Sequence, residues 1–451
     1  MIKKIRFTYW LLAGFFKKHP KLLISSVALG VAGSLLTPGL IRFFPKLIPT
    51  EKIAIIGRPT LAELPMEIQN QISLGLTRIT PEGEAQPALA TSFRIEEEGK
   101  RYIFTLKKDV RWQDGKPFVA EDVKYNFQNV TTTVLSKETV AFDLKEPFAP
   151  LPTVVSQPLF RQTKSPLFMG RLSLIGLGPM RVRQIKRNGH EITDLFIQSD
   201  ERNIHYRFYP TQESAVVAFK LGEVDKVLEL SSPGELAQWP NTKIEEVHHK
   251  DRYVALFYNT NDQFLVSKGF RQALTYAIPD KPSDDKRTIS PISPTSWAFN
   301  PQVKPYEFNL EDAKRLLEVE KEGNPNFNPN LELTTTLPYL TTAEHIKEQW
   351  LALGIPTTVK VATFIPDSFQ TLLIGQEIPP DPDQYSLWHS TQRTNLTRYN
   401  SPKIDKLLED GRQIEDQKER TQIYQDFQRF LVEDSPAAFL FHLTTYTIER
   451  S

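Results

Sequence analysis

The spacing of hydrophobic and polar residues changes several times along this chain, and each change marks an element. Glu51 to Ile56 has the length and apolar content of a first strand. From Leu76 a short strand leads into the polar turn Pro81-Glu82-Gly83 and then the apolar cluster Pro87 to Ala90. Arg94-Ile95 and Tyr102 to Leu106 read as a hairpin joined through Glu96 to Lys100, with Tyr102, Phe104 and Leu106 alternating with Ile103 and Thr105. Trp112 to Pro117 makes a tight turn, and a helix is predicted to open near Ala120-Glu121-Asp122. Thr211 caps another helix, with Ala215, Val216, Ala218 and Phe219 on one face and Gly222 as its left-handed stop.

Farther along, Tyr253 to Asn259 predicts a strand and Phe270 to Ile278 a helix. Asn309 caps a helix whose Leu310, Ala313, Leu316 and Leu317 share a face. Thr341 with Glu344 has the pattern of a capping box, ahead of Ile346, Trp350 and Leu353 at helical spacing. Two helices near the end carry Ile404, Leu407 and Leu408, then Ile423, Phe427, Phe430 and Leu431. Pro436 to Phe441 predicts a short buried strand. Strands alternating with helices indicate an α/β body.

One run breaks the pattern. Leu22 to Ile41 is twenty residues without a charge, about 30 Å as a helix and enough to span a bilayer. Six basic residues precede it and two follow closely, which places residues 1–21 in the cytoplasm and the body outside. The rival reading is a secretory signal cleaved near Val31-Ala32-Gly33; the length of the run favours an uncleaved anchor. Residues 42–52 then form a linker.

A chain of 451 residues holds two or three domains, and 40% hydrophobic with 24% charged residues is a globular composition. The absence of cysteine excludes disulfides, thiolate metal sites and a cysteine nucleophile. Eight of the 55 basic residues fall in residues 1–50, which contain no acid, so the rest of the chain sets 47 basic residues against 54 acidic ones. A net-negative body argues against nucleic-acid binding.

No catalytic constellation emerges, and no cofactor or metal site is expected. His248-His249 sits on a predicted strand, where adjacent rings point to opposite faces. Ala343-Glu344-His345 lacks the second histidine of a zinc helix, and there is no G-x-S-x-G elbow. Ile175-Gly176-Leu177-Gly178-Pro179-Met180 lacks the third glycine of a dinucleotide cradle.

Several segments, in order, resemble one family. They are Pro87-Ala88-Leu89-Ala90, the hairpin, Trp112-Gln113-Asp114-Gly115-Lys116-Pro117, Ala120-Glu121-Asp122-Val123, Ile175 to Met180, Leu221-Gly222-Glu223-Val224-Asp225, Phe270 to Ile278, and Asp381-Pro382-Asp383-Gln384-Tyr385-Ser386-Leu387-Trp388-His389-Ser390. The order is that of the family 5 solute-binding proteins of bacterial peptide and nickel ABC importers. The resemblance runs from about residue 53 to 450. Ala62-Glu63 stands where that family carries Asp-Pro, and the segments after Asn129 and after Ile278 are shorter than usual.

The resemblance implies a two-lobed periplasmic-binding-protein-like fold (type II, cluster C) with mixed sheets. Residues 53–256 and 437–451 would form lobe I, with a reduced accessory subdomain at about 75–150, and residues 257–436 lobe II. It also implies an extracytoplasmic monomer that captures a peptide or similar small solute between the lobes and delivers it to ABC permease subunits. The alternatives are a non-peptide ligand, such as a metal chelate or an oligosaccharide, or a surface sensor or scaffold with a degenerate cleft.

The candidate ligand site is the 381–390 segment. Asp381 and Asp383 supply negative charge, with Tyr385, Trp388 and His389 beside them. By resemblance Asp381 anchors a ligand amine; equally, the two acids serve only to cap the Pro-rich turn. Trp297 is a further aromatic candidate, Tyr258 and Asn259 at the lobe crossing are candidates to line the cleft floor and touch the ligand, and Arg271 is expected to be a structural ion-pair partner.

Overall fold

The computed structural model describes residues 48–164, 172–279 and 287–451, with six isolated residues before position 48. Residues 1–50 and 51–451 separate as two units. The predicted span at 22–41 lies outside the described residues except for Ser25 and Ser26. Among the described residues no helix is long and apolar enough to cross a membrane.

The strands, in chain order, begin with β1 (Thr50–Ile56), β2 (Thr77–Ile79), β3 (Ala85–Pro87), β4 (Ala90–Glu96), β5 (Arg101–Leu106), β6 (Val130–Ser136) and β7 (Thr139–Leu144). Next come β8 (Arg161–Lys164), β9 (Leu172–Ile175), β10 (Arg181–Asn188), β11 (Glu191–Gln198), β12 (Asn203–Tyr209) and β13 (Lys226–Leu230). The last are β14 (Thr242–Tyr258), β15 (Leu331–Thr335), β16 (Thr357–Val361), β17 (Thr371–Glu377) and β18 (Ala437–Arg450).

Ten strands form one mixed sheet in the order β10-β11-β12-β1-β13-β18-β14-β17-β15-β16. β1 with β13, and β15 with both β16 and β17, are parallel. The two long strands at its centre hold the halves together. The late part of β18 pairs with β13, and the late part of β14 pairs with β17. Between these ends β14 and β18 run antiparallel as a ribbon, whose register jumps where His249 faces Leu443 but Tyr253 faces His442. Lys250, Asp251 and Arg252 are the extra residues of that bulge, which bends the ribbon midway.

Each half has its own cores. Along β14, Val254, Leu256 and Tyr258 enter one cluster, with Trp350, Phe270 and Leu333. Tyr253, Ala255 and Phe257 enter the opposite one, with Trp388, Tyr424 and Phe427. Burial on both faces explains why this stretch is continuously apolar rather than alternating. In the other half, Ile68, Leu195 and Tyr206 cover one face, while Ala215, Phe219 and Ile448 cover the other. A separate four-stranded sheet, β4-β5-β7-β6, packs Tyr102, Phe104 and Phe142 around Trp112. Gln113 ties this small sheet to the larger one. Its Nε2 donates to the carbonyls of Ile72 (3.0 Å), Gly178 (3.0 Å) and Met180 (2.8 Å), and its Oε1 accepts from Gly176 N (3.1 Å). A Cβ on Gly176 would lie 2.0 Å from the Ile72 carbonyl oxygen, so these glycines serve close backbone packing.

Several predicted elements are corrected. The helix expected from Ala120 is a single 3-10 turn, Ala120–Asp122. The Asp122 carboxylate is occupied by Trp112 Nε1 (2.9 Å) and Val119 N (3.2 Å), and the chain leaves the turn extended to stack Tyr125 on Phe127. Thr341 does not cap its helix, which begins at Leu340 straight from the 3-10 turn Leu337–Tyr339; Glu344 pairs with Lys347 at 2.9 Å instead. β14 begins at Thr242, not Tyr253, and the last strand runs on to Arg450 beyond Phe441. Those added halves carry few apolar residues, which hid them. The linker stops short of residue 52, because β1 opens at Thr50. Arg271 is structural but binds backbone carbonyls: those of Leu265, Val266, Asp434 and Ser435.

Candidate functional site

β17 runs antiparallel to β14, ending with Glu377 opposite Arg252, so the 378–390 segment leaves the sheet beside the ribbon's bend. Its prolines prevent a continuing strand, and each acid closes the next turn. Asp381 Oδ1 accepts from Asp383 N at 3.0 Å, and Asp383 Oδ1 accepts from Tyr385 N at 3.1 Å. A one-turn helix, Tyr385–Trp388, follows.

Both acids also meet arginines. Asp381 Oδ1 lies 2.6 Å from Arg420 Nη2, with both side chains buried. Asp383 Oδ2 lies 2.9 Å from Arg412 Nε. Burial holds the Asp381 carboxyl above its usual range, although Arg420 works in the other direction. Burial also works against the Arg420 charge, but Asp381 and Tyr424 outweigh it and hold the guanidinium above its ordinary value. Arg420 donates further to the Gly411 carbonyl (2.9 Å) and lies 5.2 Å from the centre of the half-buried Trp297 ring. Arg412 lies 4.0 Å over Tyr385, which stacks on His389 at 4.1 Å. The His389 ring nitrogens reach Thr391 Oγ1 (2.9 Å) and Glu409 Oε1 (3.3 Å). Asp381 is therefore paired with Arg420 inside the protein rather than standing as an isolated carboxylate.

Residues packed around the segment also touch the β2–β3 turn and the loop after β7. Trp297 N donates to the Glu82 carbonyl (3.2 Å), Gln417 Nε2 to Glu84 Oε1 (3.2 Å), and Ala149 N to the Arg412 carbonyl (2.7 Å). Asp381, Asp383, Tyr385, His389 and Trp297 thus belong to one network at this seam. Trp388 is adjacent but buried, packed between Phe257 (6.2 Å) and Phe439 (6.1 Å). Tyr258 and Asn259 are not part of it. Tyr258 pairs with Thr371 at the opposite end of β14 and β17, about 20 Å from the bend by strand rise. It is fully buried, with its hydroxyl 2.9 Å from Thr275 Oγ1, and Asn259 Nδ2 donates to the Phe369 carbonyl.

Arg420 and Arg412 went unrecognised in the sequence. The readable signal was that Arg420 shares a helical stripe with Tyr424, Phe427 and Leu431, all buried. A charge on an apolar stripe calls for a buried partner. His248 and His249 bond to Thr444 and Thr445 respectively. Among the described residues no cluster of three or more His, Cys, Asp or Glu could hold a metal ion.

Known proteins resemble this architecture and its sequence. The oligopeptide-binding protein AppA of Bacillus subtilis (strain 168) is 23% identical, with 86% of this chain and 85% of that protein covered. The dipeptide-binding protein of Escherichia coli (strain K12) is 24% identical, covering 80% and 82%. Among solved structures, NikZ from Campylobacter jejuni in complex with Ni(L-His) superposes with a TM-score of 0.72 at 22% identity, over 90% of this chain and 95% of that one. That likeness gives the fold: an α/β, two-lobed solute-binding protein with mixed sheets. The sequence model described as "Bacterial extracellular solute-binding proteins, family 5 Middle" matches residues 84–395, and with that match over most of its length the chain belongs to the bacterial extracellular solute-binding proteins of family 5.

Proposed function

We propose that this protein is the extracytoplasmic solute-binding component of an ABC importer, holding a peptide or similar small solute between two lobes and passing it to a membrane permease. Membership of the family carries the reading. AppA of B. subtilis is an oligopeptide-binding protein and NikZ is solved with Ni(L-His), so the solute class extends from peptides to small chelates. The lobes are those expected from the sequence, residues 53–256 with 437–451 (the small sheet at about 75–150 attached) and residues 257–436, with one exception. A hinge at the bend of the β14–β18 ribbon assigns residues 253–256 and 437–441 to the second lobe, in whose cores they are buried. Ligand contacts from both lobes favour closure, and only that difference in contact shifts the equilibrium. The role requires binding without catalysis. Residues 22–41 anchor the chain in the membrane with residues 1–21 in the cytoplasm; a protease-protected body in intact cells would sink that arrangement.

Native mass spectrometry of the full chain purified in detergent tests the main reading. The expected result is a small co-purifying mass that leaves on denaturation, and a rise in melting temperature when peptide pools are added. No adduct and no shift with any pool would count against solute capture. One observation favours a ligand without a free amine, the alternative reading: the internal pairing of Asp381 with Arg420.

A further inference from the structure

With both acids neutralised from within, the groups left to greet a ligand are of the opposite kind. Beside Trp388 lies a small cavity, lined also by Tyr253, Gln376, Leu387, Thr394 and Thr397. Its volume for a water-sized group is about 10 Å³, roughly the room for one such group. Tyr253 pairs with Gln376 across β14 and β17, one residue beyond the ribbon's bulge, so the cavity lies close to the bend between the two halves. Thr394 is solvent-exposed and marks the open side.

The polar side chains around this cavity divide into two groups. Gln376 donates to the Glu377 carbonyl, Thr394 to the Ser386 carbonyl, and Thr397 to Asn395 Oδ1. Tyr253 and Trp388 are each 1% exposed. The Tyr253 hydroxyl and Trp388 Nε1 have no hydrogen-bond partner among the described residues. An indole N–H only donates, and burial pushes the Tyr253 phenol far above its usual range, keeping it protonated. Leaving two such groups unpaired is costly. Both residues line the same small space, and an oxygen acceptor placed there would meet the need of each.

We propose that the Tyr253–Trp388 cavity is a ligand subsite that receives one carboxylate or carbonyl oxygen of the solute. The reading rests on the solute-binding function proposed above and narrows it to solutes recognised through an oxygen rather than through a cationic head. The internal Asp381–Arg420 pair then serves as the rigid wall behind the 381–390 segment.

The test uses the full chain in detergent, labelled with 5-fluorotryptophan, with the six tryptophan signals assigned by single Trp→Phe changes. The probes are a pool of dipeptides and the same pool N-acetylated, which removes the positive charge and keeps the oxygens. Both pools are expected to shift the Trp388 signal, with affinities within about three-fold of each other. Y253F and W388F are each expected to weaken binding by about ten-fold, the worth of a hydrogen bond to a charged or buried acceptor. Y253F removes one hydroxyl and keeps the ring, so its melting temperature separates lost binding from lost folding. Movement of the Trp297 signal without that of Trp388, or unchanged affinity in Y253F, overturns the subsite and leaves the solute-binding function standing. So does binding of the free-amine pool alone. If neither pool moves any signal or the melting temperature, peptide capture fails and the subsite with it.

Discussion

Arg420 lies on the apolar stripe of its helix, so helical geometry buries the guanidinium whether or not a partner is present. Asp381 is what makes that burial tolerable. Removing one member of a buried pair strands the other charge, a loss of about 3–5 kcal/mol. R420M is expected to destabilise the body by that amount in urea unfolding, and D381L/R420M to recover most of it. A loss below 1 kcal/mol for R420M would show that the pair is better solvated than its burial indicates. At this scale the sequence revealed residue types but not partners. The Asp-Pro-Asp segment was visible as a cluster of charge and rings. The arginines that neutralise it come from helices 29 and 39 residues farther on, and nothing in local spacing links them. Tyr258 lies apart from this network for a related reason: an apolar strand shows that it crosses a core, but not which residues its ends meet.

The β11–β12 hairpin carries its own titrating pair, with His205 Nε2 2.7 Å from Asp194 Oδ1. Burial works to raise the Asp194 carboxyl, but hydrogen bonds from His205 and Thr193 outweigh it and hold the group below its usual range. Burial holds the His205 imidazole below its usual range as well, against the pull of Asp194. In both cases the unfolded chain takes up protons first as the pH falls. The histidine contribution is complete above about pH 6.5 and is lost on acidification below it, with the carboxylate following below about pH 4. The melting temperature is expected to fall between pH 7.5 and 5.5, and H205Q to flatten part of that fall; an unchanged slope in H205Q would dismiss the pair as its source. Elements of this kind were legible where their pattern is strong. The hairpin of β4 and β5, the Thr211 and Asn309 caps and the Gly222 stop all form. Failures came where a local signal was outbid. Asp122 looked like part of a helix start, yet its carboxylate is claimed by Trp112 and Val119. The polar halves of β14 and β18 looked like loop because each relies on the other for pairing.

The whole molecule depends on that mutual pairing. β18 is central to the large sheet, bonded to β13 and β14. Deleting residues 437–451 would leave two sheet fragments with raw inner edges rather than one trimmed lobe. Loss of any cooperative unfolding transition across the body is expected by calorimetry, whereas a surviving transition would show that one half folds alone. Two lobes and mixed sheets were legible at this scale because many short segments keep the family's order along the chain, although none is decisive alone. The shared sheet was not, since strands about 200 residues apart in sequence meet only through non-local pairing. The pairing also sets a schedule. The strand both halves need lies about 200 residues beyond its partner β14, so neither half has a finished centre until that distant strand has joined it.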